Sequence, residues 1–266
     1  MKNRIISACI ALLVLIPVTL KGGIIFNIVV YIISLLGLKE LLDTISKKKE
    51  IPFIMSLLSY IFVSLIILVD VSSVNIVYSL DYRILSALFL LFLIPTVLYH
   101  DKKKYSIVDA FYMIGSILFL GIAMALLIML RAYDLKLFIF LLTITIITDT
   151  FAYISDYLIG KHKLCKNLLP DKSVEGLIIG LVMGTFVSSM FYCTCINSEI
   201  NIYLLLSMCI ILSLIGQLGD LVFSAIKKHF GINKFGNIFP GHGGVLDRLD
   251  SIMFVILGFV FFITLI

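Results

Sequence analysis

The feature that most constrains this chain is a succession of apolar runs, each close to the length that crosses a bilayer. A transmembrane helix needs about 20 apolar residues. Nine such runs lie at about 5–20, 24–38, 52–69, 83–99, 107–130, 135–155, 175–196, 201–226 and 251–266. Of the 266 residues, 61% are hydrophobic and 14% charged, which leaves little for a domain outside the membrane. The sequence therefore predicts an all-α, polytopic integral membrane protein with about nine transmembrane helices.

No internal repeat or long linker divides the chain, so residues 1–266 are expected to form a single membrane domain. Within it, residues 1–134 would supply N-terminal helices, and residues 135–266 would supply the helices and loops that carry the functional site. The first apolar run follows Lys2 and Arg4, as in a signal peptide, but no small-residue cleavage site follows it. A retained helix is therefore the favoured interpretation.

The distribution of basic residues predicts an orientation in the membrane. Of the 21 Lys and Arg residues, 15 fall in the even-numbered loops of the nine-helix arrangement. Because basic residues concentrate in cytoplasmic loops, the even-numbered loops should be cytoplasmic. The basic residues form short clusters between apolar runs and no continuous basic surface, so no nucleic-acid partner is expected.

Two polar segments on the predicted cytoplasmic side stand out, residues 149–176 and residues 216–251. Asp149 and Asp220 lie near the ends of apolar runs, where an ionised carboxylate costs on the order of 2.5–3.5 kcal/mol. One helical face of the eighth run is polar, with residues spaced by three or four: Gln217, Asp220, Ser224 and Lys227. A polar seam packed against neighbouring helices is one interpretation of this face.

The segment after that run is rich in glycine and basic residues. Five glycines occur within 14 residues: Gly231, Gly236, Gly241, Gly243 and Gly244. Residues 240–244 predict a tight turn whose backbone can approach a ligand closely. Exposed amides there would form a phosphate cradle with nearby basic side chains, namely Lys227, Lys228, His242 and Arg248. Asp247 and Asp250 follow at the start of the last run, where helix capping is an alternative role for Asp250.

Carboxylates beside basic residues and a glycine turn indicate Mg²⁺ with a polyphosphate, because Mg²⁺ is commonly held by one or two carboxylates and substrate oxygens. Soft metals are not indicated, since no Cys or His cluster has ligand spacing, and His100, His162 and His229 fit interfacial positions better. The five cysteines are an odd number and lie mostly in apolar runs, which argues against a disulfide framework. A Walker motif and a GxGxxG motif are absent, which excludes a soluble nucleotide-binding fold.

Residues 224–251 resemble the C-terminal pattern of the phosphatidate cytidylyltransferases, also called CDP-diacylglycerol synthases. The residues that match it at the family's spacing are Ser224, Lys227, Gly236, Pro240, His242, Gly243, Gly244, Asp247, Arg248 and Asp250. Residues 149–164 and 170–176 resemble the second conserved stretch of that family. Length and number of spans agree as well, so the resemblance covers the whole chain.

The resemblance implies an all-helical membrane enzyme, usually dimeric, that makes CDP-diacylglycerol and pyrophosphate from CTP and phosphatidate with Mg²⁺. By similarity, Asp220 and Asp247 would hold the metal. Catalytic contacts to phosphate oxygens would come from Lys227, His242 and Arg248. Substrate-binding roles would fall on a larger set: Asp149, Lys172, Ser173, Glu175, Ser224, Lys228, Gly243, Gly244 and Asp250. We expect a homodimer in the cell membrane, embedded in the lipid bilayer, whose site faces the cytoplasm, where CTP is dissolved.

Some positions depart from the family pattern. Lys228 stands where Arg is usual, Asn233 and Lys234 replace Lys and Asp, and Leu169 replaces a serine. Loss of the bidentate Arg and of a carboxylate leaves open a divergent or weakened paralogue with another lipid-phosphate acceptor. An ion-coupled transporter would also place acids within spans, but it explains the glycine turn poorly. The D-G-x-x-A-R arrangement of CDP-alcohol phosphotransferases is missing.

Overall fold

A computed structural model describes residues 13, 15–47, 49–70, 81–99, 105–165, 169–197, 199–238 and 243–263. Within these residues the chain forms long helices and one hairpin of two strands. In chain order they are α1 (Gly23–Ser46), α2 (Phe53–Asp70), α3 (Tyr82–Leu98), α4 (Ile107–Tyr133), α5 (Leu135–Ile159), β1 (Lys163–Cys165), β2 (Leu169–Ser173), α6 (Val174–Cys195), α7 (Ile202–Phe230) and α8 (Leu246–Phe259). Residues 15–21 are also helical.

Five of the described helices are long and apolar enough to cross a membrane, namely α1, α4, α5, α6 and α7. α2 and α3 contain shorter apolar helices. A helix satisfies its own backbone N–H and C=O groups, which lipid cannot do, so apolar runs of this length fold as helices. The chain is thus an all-α, multi-pass membrane protein. The first predicted run, residues 5–20, falls largely outside the described residues.

The chain folds into two compact units, and the first is formed by Met1–Tyr133 and Phe230–Asp247. Its central helix is α4, which packs against α1, α2 and α3 and is buried along most of its length. An ion pair between Lys49 and Asp109 joins the end of α1 to the start of α4. At the other end of α4, the Arg131 guanidinium donates to the carbonyl oxygens of Thr19 and Leu20, at 2.6 and 2.9 Å.

The second unit is formed by Asp134–His229 and Arg248–Ile266, and its best-packed pair of helices is α5 with α6. Gly176, Gly180 and Gly184 recur every four residues on α6, and we call them the α6 glycine stripe. A Cβ at Gly180 would lie 2.8 Å from the carbonyl oxygen of Thr148, and one at Gly184 would lie 2.1 Å from its Oγ1. Small residues at this spacing let two helix backbones approach closely.

A short hairpin between α5 and α6, which the sequence did not predict, is added to the all-α fold. β1 and β2 pair antiparallel, with Lys163 opposite Ser173 and Cys165 opposite Leu169. Outside a helix, backbone N–H and C=O groups must find other partners, and a short antiparallel ladder provides them. The segment between α5 and α6 therefore folds into an antiparallel hairpin.

Two helix boundaries differ clearly from the ends of the apolar runs. α1 continues past residue 38 to Ser46, and its last turns bury Leu41, Leu42 and Ile45. α8 begins at Leu246, whereas the last apolar run begins at residue 251. Polar residues mark where apolar surface ends, but they are compatible with a helix, so the helix continues until a cap or turn ends it.

Candidate active site

Three carboxylates from three helices form a cluster in the second unit: Asp149 of α5, Asp220 of α7 and Asp250 of α8. We call them the carboxylate cluster. All three are partly buried. Asp220 interacts electrostatically with both of the others and lies within hydrogen-bonding reach of Asp250. The Ser251 hydroxyl donates to Asp220 Oδ1 at 3.0 Å and is also within hydrogen-bonding reach of Asp149. The structure thus brings together three of the carboxylates predicted from the sequence.

Contacts between α7 and α8 keep Asp220 beside Ser251. The rings of Phe223 and Phe254 meet edge to face, with centroids 6.3 Å apart. Next to Asp220, a Cβ at Gly219 would lie 2.8 Å from the Phe254 ring. Glycine at position 219 therefore allows the close approach that places the Asp220 carboxylate against α8.

Lysine side chains balance part of this negative charge. Lys172, on β2, forms an ion pair with Asp220 Oδ2 and also attracts Asp149. Lys227, one turn before the end of α7, interacts electrostatically with Asp250. The hairpin thus has a specific role in the site, because it carries the Lys172 ammonium to a carboxylate 48 residues further along the chain.

Asp156 fixes the end of the hairpin, and sequence reasoning did not single it out. Its Oδ1 accepts from the Ser173 N–H at 2.8 Å and from the Ser173 hydroxyl at 2.6 Å. Ser173 in turn caps α6, since its Oγ accepts from the Gly176 N–H at 3.0 Å. This arrangement holds the residue next to Lys172 in place. The predicted substrate-binding role of Ser173 stays a prediction beside the structural role that the contacts show.

Glu175 binds the start of the hairpin. Its Oε1 lies 2.6 Å from His162 Nδ1, and the His162 backbone N–H donates to Oε2 at 3.2 Å. The His162 side chain is 81% exposed. The predicted contact of Glu175 with a substrate is not tested by this geometry.

The polar face of α7 is divided between packing and the carboxylate cluster. Gln217 is buried and donates from Nε2 to the carbonyl oxygen of Leu177 on α6, at 3.2 Å. One turn earlier, Ser213 shares a buried hydrogen bond of 2.9 Å with Thr148 of α5. These contacts fit the polar-seam interpretation, which therefore describes the part of α7 before Asp220. Ser224, on the other side of Asp220, is also buried.

In the first unit, Asp247 organises the turn that follows the glycine-rich segment. Its Oδ2 accepts from the N–H groups of Phe235 and Gly244, at 3.1 and 2.9 Å. Gly243 has a φ of +97°, and a Cβ there would lie 2.6 Å from Asp247 Oδ2, so only glycine fits. Because α8 begins at Leu246, Asp247 is the acid of its first turn. The alternative capping role for Asp250 is therefore wrong, since Asp250 lies one turn too late.

Glu40 of α1 contacts the same turn, and sequence reasoning missed it. Its side chain is only 3% exposed. Oε1 accepts from the Val245 N–H at 2.9 Å, and Oε2 accepts from the Leu246 N–H at 3.0 Å. In the sequence Glu40 lies just past the apolar run at 24–38, next to Lys39, so it gave no signal of a carboxylate within a span like that of Asp149 and Asp220.

The remaining predicted site residues include Lys227, Lys228, His242 and Arg248. His242 and the turn residues 239–242 fall outside the described residues. Lys227 and Lys228 lie in the last turn of α7, where the helix dipole favours positive charge, and Arg248 is exposed on α8. Asp220 belongs to the second unit and Asp247 to the first, so the metal site that they were predicted to share stays a prediction.

The carboxylate cluster consists of oxygen donors, the kind of ligand that Mg²⁺ prefers. In the described part of the chain, no group of three or more His, Cys, Asp or Glu side chains could hold a metal ion unaided. Mg²⁺ does not require one, because one or two carboxylates suffice when substrate phosphates and water complete its coordination. Like charges as close as those of the carboxylate cluster also favour a bound cation.

Comparison with known proteins agrees with this chemistry. Residues 2–266 match the sequence profile of the Cytidylyltransferase family. A phosphatidate cytidylyltransferase from Staphylococcus saprophyticus is 41% identical over 257 residues, which is 96% of each chain. Proteins of the same name from Staphylococcus haemolyticus and Staphylococcus aureus strain COL are 39% and 38% identical, again over 96% of each chain. The resemblance identified from residues 224–251 is confirmed, and the chain belongs to the cytidylyltransferase family.

Proposed function

We propose that this membrane protein transfers the cytidylyl group of CTP to phosphatidate, giving CDP-diacylglycerol and pyrophosphate. The observation that carries the proposal is the likeness, over 96% of the chain, to relatives named phosphatidate cytidylyltransferase. The carboxylate cluster, the lysines beside it and the glycine turn supply the groups that such a reaction needs. The enzyme is accordingly a nucleotidyltransferase.

The reaction needs charge neutralisation more than proton transfer. A phosphate oxygen of phosphatidate attacks the α-phosphorus of CTP, and the bond from that phosphorus to the pyrophosphate oxygen breaks. The attacking phosphate is already an anion at neutral pH, so no strong general base is required. Catalysis then depends on bringing two polyanions together in line and stabilising the charge on the leaving pyrophosphate.

Asp220 and Asp247 are the proposed Mg²⁺ ligands. These two carboxylates would hold the ion, which when bound would supply positive charge to neutralise the charge that develops on pyrophosphate. Two observations support this choice. Asp220 lies at the centre of the carboxylate cluster. On α8, Asp247 precedes Asp250 by three residues, a spacing that puts both on one helical face.

Basic and polar side chains would hold the phosphates. Lys227, His242 and Arg248 would contact phosphate oxygens, and Lys172 would join them from the hairpin. The remaining predicted substrate residues would line the nucleotide and lipid side: Asp149, Ser173, Glu175, Ser224, Lys228, Gly243, Gly244 and Asp250. The homodimer is proposed on the family resemblance alone.

The proposed orientation places the site at the cytoplasmic face of the cell membrane. It is supported by the excess of Lys and Arg in the even-numbered loops. The last turn of α7, with Lys227, Lys228 and His229, would then face the compartment that contains CTP. Phosphatidate would reach the site from the bilayer.

The test is an assay of the purified protein in lipid with CTP, phosphatidate and Mg²⁺, measuring CDP-diacylglycerol and pyrophosphate. We expect both products in equal amounts, and none when Mg²⁺ is chelated or when Asp220→Asn replaces the wild type. Other lipid phosphates should be run as acceptors in parallel, because the departures at Lys228, Asn233 and Lys234 make a different acceptor the second candidate. Absence of product with every acceptor, in a preparation shown to be folded, would contradict the proposed function.

A further inference from the structure

Glu40 is a buried carboxylate for which the proposed reaction has no role. It lies near the C-terminal end of α1, and it is only 3% exposed. A buried carboxylate is costly unless hydrogen bonds satisfy its oxygens. Here each oxygen accepts one backbone N–H, from Val245 at 2.9 Å and from Leu246 at 3.0 Å.

Two glycines of the C-terminal segment leave room for this carboxylate. A Cβ at Gly236 would lie 2.4 Å from Glu40 Oε1, and a Cβ at Gly244 would lie 2.4 Å from both carboxylate oxygens. Neither distance is possible for real atoms, so any other residue at these positions would displace Glu40 or the backbone. Gly236 and Gly244, which match the family pattern, are therefore needed in this chain to leave space for the Glu40 carboxylate.

The Glu40 contacts adjoin those of Asp247. The N–H of Gly244 donates to Asp247, and the next two N–H groups, of Val245 and Leu246, donate to Glu40. Three consecutive backbone donors at the start of α8 are therefore shared between two carboxylates. The N–H groups of a first helical turn lack partners within the helix, so these bonds define how the turn is held.

We propose that Glu40 is a positioning residue, which holds residues 243–247 in the conformation that presents Asp247 and Arg248 to the substrates. Asp247 and Arg248 would make the contacts, and Glu40 would act through the backbone. The role requires two acceptor oxygens. A glutamine has the same shape, but its Nε2 would face an N–H group in place of an acceptor.

Glu40→Gln tests this proposal by hydrogen exchange and kinetics. We expect the amides of Val245 and Leu246 to exchange at least about tenfold faster, since they lose a charged acceptor. The KM for CTP should rise, because a loosened turn binds phosphates less well. A merely structural role would reduce the fraction of folded enzyme and leave that KM unchanged. The matched control is Ser34→Ala on the same helix, where the hydroxyl of the buried Ser34 donates to the Tyr31 carbonyl at 2.6 Å.

A second pair of variants applies if Glu40→Gln does not fold. Gly244→Ala should have the same effects as Glu40→Gln, whereas Gly115→Ala should not, because a Cβ at Gly115 meets nothing within 4 Å. In a Glu40→Ala background the carboxylate that clashes with the new methyl group is gone. Gly244→Ala should then cost less than it does in the wild type, and an equal cost would overturn the role of Glu40.

That the turn presents Asp247 and Arg248 to substrates rests on the proposed function. That Glu40 holds the turn does not, and hydrogen exchange tests it separately. Suppose that Val245 and Leu246 exchange faster in Glu40→Gln while the wild type shows no transferase activity. That result would refute the function and keep Glu40 as the residue that holds the turn. Unchanged exchange and unchanged KM in Glu40→Gln would overturn the inference, even if the wild type makes CDP-diacylglycerol.

Discussion

Asp220 is oriented by neighbours on both sides of its carboxylate. Ser251 donates to Oδ1, and Lys172 pairs with Oδ2. Its orientation is therefore fixed before any substrate binds, which avoids a reorganisation cost during the reaction. Removal of the charge at this position should affect catalysis more than it affects folding.

The first residue-scale prediction concerns the two proposed metal ligands. Asp220→Asn and Asp247→Asn should each lower the rate at least about a hundredfold, the scale seen when a key electrostatic element is lost. The double variant should lose little more than either single one, since residues that act as a unit are non-additive. Steady-state rates at several Mg²⁺ concentrations provide the measurement. Fully multiplicative losses would show that the two carboxylates act independently.

The second residue-scale prediction concerns Lys172. Lys172→Met removes the ammonium paired with Asp220, so the carboxylate cluster should attract Mg²⁺ more strongly while turnover falls, because a phosphate contact is lost. The measurement is the Mg²⁺ concentration for half-maximal rate, together with the maximal rate. Lys163→Met is the control, because Lys163 lies on β1 of the same hairpin and is exposed. A higher Mg²⁺ concentration for half-maximal rate in Lys172→Met than in the wild type would contradict the assigned role.

Helices were the elements that the sequence predicted well, because an apolar run in lipid has few alternatives to a helix. Their ends were predicted less well. α1 keeps Lys39 and Glu40 within the helix, and α7 keeps Lys227 and Lys228, since polar side chains do not by themselves end a helix. The hairpin was not predicted, because the contacts that hold it join residues distant in sequence. Asp156 accepts from Ser173, and Lys172 pairs with Asp220.

At the scale of elements, the α6 glycine stripe should control how closely α5 and α6 pack. Gly180→Ala would force a Cβ to within 2.8 Å of the Thr148 carbonyl oxygen. Such overpacking typically costs about 1–3 kcal/mol. Gly115→Ala on α4 should be neutral or slightly stabilising, because the site is open and alanine favours helix. Thermal unfolding in detergent compares the two variants, and equal midpoints would refute close packing at Gly180.

At the scale of the whole molecule, the family and its reaction were recognisable from one segment of the sequence, while the partners of that segment were not. Glu40 lies 206 residues before the Leu246 amide that it binds. No local pattern connects such positions. Hydropathy and charge describe where a chain meets lipid and water, whereas the choice of partners across the fold comes from packing.

Membrane orientation is the prediction for the whole molecule. Single cysteines at Glu199 and Asn233, on either side of α7, should react with an impermeant maleimide from opposite faces of the membrane. In intact cells lacking native cysteines, position 199 should label from outside and position 233 only after permeabilisation. Cysteine variants at Lys102 and Lys166 should behave like the one at position 233. Labelling of position 233 in intact cells would reverse the orientation and separate the site from cytosolic CTP.

The length of α7 has a consequence for how the enzyme depends on its lipid environment. Its 29 residues measure about 44 Å, whereas the hydrocarbon core of a bilayer is about 30 Å thick. Asp220 lies about 15 Å before the C-terminal end of this helix, at 1.5 Å per residue. The excess length would set Asp220 near the boundary between acyl chains and headgroups. The reaction rate should therefore depend on bilayer thickness. A thicker or thinner bilayer would shift the Asp220 carboxylate relative to the phosphate of the lipid substrate.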